Sequence, residues 1–273
     1  MQALRLIDDW PVHNVAAAVI DREGAVHTRG DQGHSFRLAS IAKPITTWAC
    51  LVAVEEGIVA LDQPVGQAGC TLRHLLSHAG GYGFDGPDPI AKPERNRIYS
   101  NTGIEMAAQT VADAAGIPFG DYLHEAVFQP LGMTSSKLTS SAAHGMWSTA
   151  ADLTRFLQEV RSPTLISAAS AAQAATVQFP ALNGIIPGIG RYSPCPWGLG
   201  FEIRGTKNPH WTGTTNSPST FGHFGGAGTF SWMDPAVGVA SLALTDRPFD
   251  DWSDEALRLW PALSDALLAE ASA

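Results

Sequence analysis

The segment Phe36-Arg37-Leu38-Ala39-Ser40-Ile41-Ala42-Lys43-Pro44 (36–44) is where the chain changes character. Before it the pattern is β. Val15 to Ile20 is an apolar run, Asp21-Arg22-Glu23-Gly24 is a turn, and Ala25 to Thr28 returns, which predicts a hairpin within a sheet. After it, from Ile41 to about Val160, the pattern is mostly helical. Pro44 locates the switch, because proline is tolerated in the first turn of a helix, where backbone N–H groups lack intrahelical partners. The helix is expected to begin at Ser40 or within a residue or so of it, which puts Ser40 and Lys43 on one face.

Further along, Gly57 stops the first helix, and Thr102 to Ala115 predicts a second, closed by Gly116. Phe119 to Phe128 predicts a third, stopped near Pro130, and Thr149-Ala150-Ala151-Asp152 reads as a capping box opening a fourth through Val160. Residues 162 to 222 carry loop chemistry, with an Ala-rich helical stretch at Ile166 to Val177 and Pro, Gly, Ser and Thr gathering from Asn208 to Ser219. Strand signals follow at Gly200 to Ile203, Thr229 to Met233 and Val237 to Thr245; Asp250 to Ala269 is an amphipathic helix interrupted at Pro261. The order of strands, helices, strands and terminal helix predicts an α/β fold. Its antiparallel sheet is built from both chain ends and flanked by helices, with an all-helical lobe inserted. The whole is one domain, with an α/β lobe at about 1–40 and 190–273 and a helical lobe at about 41–189.

Composition narrows the function classes. With 45% hydrophobic and 16% charged residues over 273 positions, the chain can bury a large core or two lobes around a cleft. A net charge of −9, with no run of Lys or Arg, argues against nucleic acid or an anionic membrane as partner. Cys50, Cys70 and Cys195 are odd in number and widely spaced, and read as free buried thiols. Met1 to Asn14 lacks a secretory pattern and no transmembrane stretch occurs, so a cytoplasmic location is expected.

Three motifs carry chemistry. In Ser40-x-x-Lys43, a neutral lysine one turn away can take the proton that keeps a serine hydroxyl a weak nucleophile. That requires a lowered amine pKa, which burial in an apolar pocket or beside another cation supplies. In Tyr99-Ser100-Asn101, the tyrosine can shuttle a proton and the asparagine can hold the lysine or a substrate carbonyl. In His223-Phe224-Gly225-Gly226, the glycines allow close backbone approach, and the Gly226 N–H could pair with that of Ser40 as an oxyanion hole. Each has an ordinary reading too: a helix cap with a solvated lysine, a loop tyrosine, and a strand bend with a core histidine. Chance alone gives about one S-x-x-K in a chain this long. His74 and His78 lie at i, i+4, but neither H-E-x-x-H nor a third ligand accompanies them, so they read as scaffold and no metal or cofactor is expected.

With these three motifs in this order, the chain resembles the serine β-lactamase and penicillin-binding-protein superfamily. The branch is that of class C β-lactamases, D-alanyl-D-alanine peptidases and family VIII esterases. Thr71 to Gly81, Tyr99 to Gly103, Pro130 to Met133 and Gly145 to Leu153 are similar to segments of that branch, and the likeness covers most of Val15 to Arg247. The resemblance implies acylation at Ser40, with Lys43 and Tyr99 sharing acid–base work and Asn101 orienting substrate. It implies that His223 faces the cleft and that Ser40 and Gly226 donate to the oxyanion. His223 stands where many relatives have a lysine that anchors a substrate carboxylate, and a neutral histidine is a weaker anchor. The expectation is therefore a carboxylesterase acting on small esters or amides. A β-lactamase, a D-alanyl-D-alanine peptidase and a non-catalytic ligand-binding member of the fold are the alternatives. Phe224, Trp147, Trp197 and Trp211 are candidates for apolar wall or core.

Overall fold

A computed structural model describes residues 1–271. Its centre is a six-stranded antiparallel sheet. We label the strands β1 (Val15–Ile20), β2 (Val26–Gly30), β3 (Glu202–Ile203), β4 (Phe221–Gly225), β5 (Thr229–Asp234) and β6 (Val239–Thr245). Their order across the sheet is β2-β1-β6-β5-β4-β3, and β1 joins β6 in a register running from Val15 opposite Thr245 to Ile20 opposite Ala240. The sheet is thus closed by the two chain ends, as the sequence predicts.

Both faces of β1 are covered, which explains why Val15 to Ile20 reads as a continuous apolar run and not an alternating one. Ala16, Ala18 and Ile20 face a core shared with helices α1 (Ala42–Glu55), α2 (Asn101–Ala115) and α3 (Ala150–Arg161). Ala17 and Val19 face the opposite core, with Leu4, Ile7 and the Trp260, Leu263 and Leu267 side of α4 (Ser253–Ala271). From Ala42 to Ala53 every residue of α1 is buried, the mark of a helix threaded through a core.

Several boundaries differ from the sequence reading. The α-helix starts at Ala42; Ser40 lies in a preceding 3₁₀ turn, Ala39–Ile41. Pro261 does not interrupt α4, because residues on either side of it pack into the same core and hold the helix across the missing N–H. Helix α3 packs against β1 and β6, so in space it belongs with the sheet and not with the helical lobe. The Ala-rich helix shrinks to Ala168–Ala174. Within the stretch read as loop, Gly184–Ile186 and Gly190–Tyr192 form a hairpin whose first strand runs parallel to Arg97–Ile98. The three cysteines are free and buried. Among the described residues, no helix is long and apolar enough to cross a membrane.

Candidate active site

Ser40 sits at the mouth of α1, one residue after a strained position. Ala39 has φ of +48°, a conformation that costs a non-glycine residue on the order of 1–3 kcal/mol. Anchors on Leu38 hold the turn: its N–H donates to the Met146 carbonyl (2.9 Å) and its carbonyl accepts from Thr229 Oγ1 (2.9 Å). The second anchor ties the serine turn to strand β5.

One helical turn on, Lys43 is fully buried, with Nζ 3.1 Å from Ser40 Oγ. Its other partners are Asn101 Oδ1 (2.7 Å) and the Ala143 carbonyl (3.0 Å). Both are acceptors only, so each consumes one N–H. A neutral amine has just two N–H bonds, and its lone pair is then left for the Ser40 hydroxyl. Burial drives the amine toward that neutral form, lowering its pKa to about 7 against the opposing pull of Glu105 and Asp85.

Tyr99 follows the short strand Arg97–Ile98 and precedes α2, whose first turn is capped by Ser100 Oγ accepting from Gly103 N (2.9 Å). Lys43 Nζ lies 4.7 Å from the centre of the Tyr99 ring. Burial pushes the phenol well above its usual range, only partly offset by the Ser40 hydroxyl, so at neutral pH Tyr99 is a proton donor and not a tyrosinate. Its hydroxyl stands 3.4 Å from His223 Nε2. His223 Nδ1 is 2.6 Å from the Phe224 carbonyl, which can only accept, so that nitrogen carries the proton and Nε2 offers a lone pair to Tyr99. Burial, reinforced by Lys43, lowers the His223 pKa to about 3. His223 is therefore neutral and presents no cation to a substrate.

Ser40, Tyr99, His223 and Gly226 line one cavity of about 190 Å³, with Phe84, Trp197, Phe224 and Phe249 as apolar wall and Asp250 as its charged side chain. Gly225 is not in the lining. It packs behind, where a Cβ would lie 2.3 Å from the Leu38 carbonyl oxygen and 3.2 Å from Ser40 N. Gly225→Ala is expected to push β4 away from the serine turn and lower kcat/KM about 100-fold, by the usual sensitivity to shifts near 1 Å. Steady-state kinetics check this; activity within threefold of the parent excludes it.

The sequence-predicted residues thus converge, with two changes of place: Gly225, which packs behind the cavity, and Asn101. Asn101 does not line the cavity, and both ends of its amide are engaged: Oδ1 by Lys43, Nδ2 by Asp85 Oδ1 (3.1 Å). Its Oδ1 holds the lysine. Trp197 and Phe224 are wall, Trp211 is core, and Trp147 lines a neighbouring depression that also reaches Gly226. Sequence reasoning did not single out Phe84, Phe249, Asp250, the Ala143 carbonyl, or Pro187 and Gly188, which the Gly184–Tyr192 hairpin brings into the cavity wall. These act by placement, and no local signal marks them. His74 bonds to Thr71 and Glu94 (2.7 and 3.1 Å), and among the described residues no cluster of His, Cys, Asp or Glu could hold a metal.

The chain is similar to several known proteins. The Beta-lactamase family model matches residues 6–264. Penicillin-binding protein 4* of Bacillus subtilis (strain 168) is 26% identical over 136 residues, which is 38% of this chain but only 30% of that protein's length. Esterase EstB of Burkholderia gladioli is 24% identical over 93% of this chain and 90% of its own. A crystal structure described as a β-lactamase from Mycobacterium bovis matches at 48% identity with a TM-score of 0.96, covering 99% of this chain and 100% of that one. Simvastatin synthase of Aspergillus terreus shares the fold, with a TM-score of 0.78 at 18% identity over 98% of this chain and 97% of its own.

Proposed function

The chain belongs to the Beta-lactamase family, and from that premise we propose that it is a serine carboxylesterase working through an acyl-enzyme at Ser40. The reading rests on one observation above the rest: a buried amine, its pKa near 7, whose two N–H bonds are committed to Asn101 and Ala143 and whose lone pair faces Ser40 Oγ at 3.1 Å.

Lys43 takes the Ser40 proton as Oγ attacks the ester carbonyl. The Ser40 and Gly226 N–H groups receive the oxyanion. Collapse breaks the bond to the alkoxide, which leaves with a proton supplied through Tyr99 and replaced from protonated Lys43. Water then attacks the acyl-enzyme as Lys43 takes one of its protons; the bond to Ser40 Oγ breaks, Lys43 passes that proton to Oγ, and the acid leaves with Ser40 protonated and Lys43 neutral again. No cofactor is required.

Two features favour uncharged esters over β-lactams and D-amino peptides, both of which carry a carboxylate. His223 is neutral, and no Lys or Arg is among the residues lining the cavity. The Mycobacterium bovis relative described as a β-lactamase supports the second reading, β-lactam hydrolysis at the same serine.

Parallel turnover of a short-chain nitrophenyl ester, a chromogenic cephalosporin and a D-amino peptide separates these. The ester is expected to lead in kcat/KM, and Ser40→Ala to abolish it together with covalent labelling by a fluorophosphonate. Cephalosporin turnover above ester turnover reverses the ranking. Ester turnover surviving in Ser40→Ala sinks the mechanism. No turnover and no labelling at all would make this a ligand-binding member of the fold.

A further inference from the structure

His78, read from sequence as scaffold, is wrapped around the tyrosine. It is buried, and its backbone takes φ of +58°, left-handed territory that side-chain-bearing residues enter at a cost. In that conformation it touches both residues flanking Tyr99. Its carbonyl accepts from the Ile98 N–H (2.9 Å) and its ring Nδ1 accepts from the Ser100 N–H (3.2 Å). The ring lies against Tyr99, with centroids 4.7 Å apart, and meets Trp197 edge-on at 4.9 Å. Because Nδ1 accepts, the ring proton sits on Nε2, which is buried and has no hydrogen-bond partner. A strained backbone and an unpaired buried N–H are both costs, and neighbouring packing must impose them.

We propose that His78 is a positioning residue for Tyr99. It clamps the backbone on both sides of the tyrosine and backs its ring, so that the hydroxyl stays over Ser40 between the lysine and the leaving group. The proposal rests on the reading of Ser40, Lys43 and Tyr99 as the catalytic centre. The strained conformation goes with both contacts: in it the carbonyl meets Ile98 while the ring reaches Ser100. His78 is not itself in the cavity lining; it reaches the lining through the Tyr99 ring and the edge of Trp197.

Three substitutions distinguish this from a general packing role. Asparagine enters the left-handed region readily, and its Oδ1 stands where Nδ1 stood; glutamine sets its acceptor one methylene further out. His78→Ala and His78→Gln are expected to lower kcat about 100-fold with KM within about threefold, while His78→Asn recovers to within about tenfold of the parent. A second readout is independent of turnover. The chain has four tyrosines, so 3-fluorotyrosine labelling gives four fluorine resonances, and Tyr99→Phe identifies the one that matters. That resonance is expected to shift in the Ala and Gln variants, to stay near the parent position in Asn, and to move alone.

Asparagine no better than glutamine, or an unmoved Tyr99 resonance in the Gln variant, overturns the clamp. The Asn–Gln comparison decides the matter even if His78→Ala does not fold. If the parent protein turns over no ester and Ser40 resists labelling while the Tyr99 resonance still responds, the esterase reading fails and the clamp stands.

Discussion

Lys43→Met is expected to lower kcat for an ester by about 10⁴-fold or more, the scale of losing a base that acts as a unit with its nucleophile. Methionine keeps the length and the apolar stem and removes only the amine. With no group of pKa near 7 beside Ser40, the variant also loses the acid limb of the pH profile. In the parent, kcat/KM should rise as pH climbs through about 7, because only the deprotonated amine can accept the Ser40 proton. In the variant that rise is absent. The fold is not the casualty. Removing a buried amine relieves a desolvation cost, most of all below pH 7 where the folded parent must hold it charged, and this offsets the two carbonyl oxygens left unpaired, at about 1–3 kcal/mol each. Thermal unfolding at pH 6 is expected within about 5 °C of the parent. A variant with more than a tenth of parental kcat, or one that keeps the acid limb, removes Lys43 from the role of base.

The largest stability loss is expected away from the serine, at Glu202→Gln. Glu202 is fully buried and accepts from Lys207 Nζ (2.9 Å), His210 Nε2 (2.9 Å) and Trp211 Nε1 (2.7 Å). Burial alone would raise its pKa, but Lys207 and His210 outweigh it and hold the carboxyl far below the usual range. An amide keeps the shape and removes the charge, leaving the Lys207 ammonium buried without its counterion. Breaking such a pair from one side costs about 3–5 kcal/mol, or on the order of 10 °C in Tm for a chain this size. A depressed carboxyl pKa means that the stabilisation is complete above the ordinary value of 4.5 and is lost as pH falls below it. The gap between parent and variant should therefore be flat through neutral pH and shrink in acid. Calorimetry checks both. A Tm within 2 °C of the parent at pH 7 would show the pair to be dispensable, and adding Lys207→Met should recover part of the loss.

The contrast between these two positions marks what the sequence could reveal. Ser40, Lys43, Tyr99 and His223 were legible because each sits at a punctuated point: a proline-marked helix start, a helix cap, a glycine-rich strand end. Their chemistry depends on spacing that a linear reading can measure. The sheet was legible for a related reason, since Val15 to Ile20 is apolar at every position and Val239 to Thr245 at all but Ser241 and Thr245, as suits strands covered on both faces. Glu202, Lys207 and His210 were not legible. A Glu in a short strand and a Lys and His in a Pro- and Thr-rich loop look solvated, and only the fold of that loop against Trp197 and Trp211 puts them inside. The same holds for His78, whose i, i+4 partner His74 invited a metal question while its carbonyl and ring were serving Tyr99. Pro261 failed in the opposite sense: a strong local signal was overridden by packing on both of its sides.

The pairing of β1 with β6 has a consequence for how the protein is made. Ala18 and Ser241, 223 residues apart, are bonded neighbours in the finished sheet. On a ribosome adding about 5–20 residues per second, the first strand waits on the order of tens of seconds for its partner. Through that time Val15-Ala16-Ala17-Ala18-Val19-Ile20, apolar on both faces, can find only the β2 edge of its own hairpin. Such a segment needs a chaperone or a fast downstream chain more than most. The same delay governs the serine turn: Gly225 can pack behind Ser40 only after the late strands have been synthesised, so the proposed nucleophile gains its β4 neighbour near the end of synthesis.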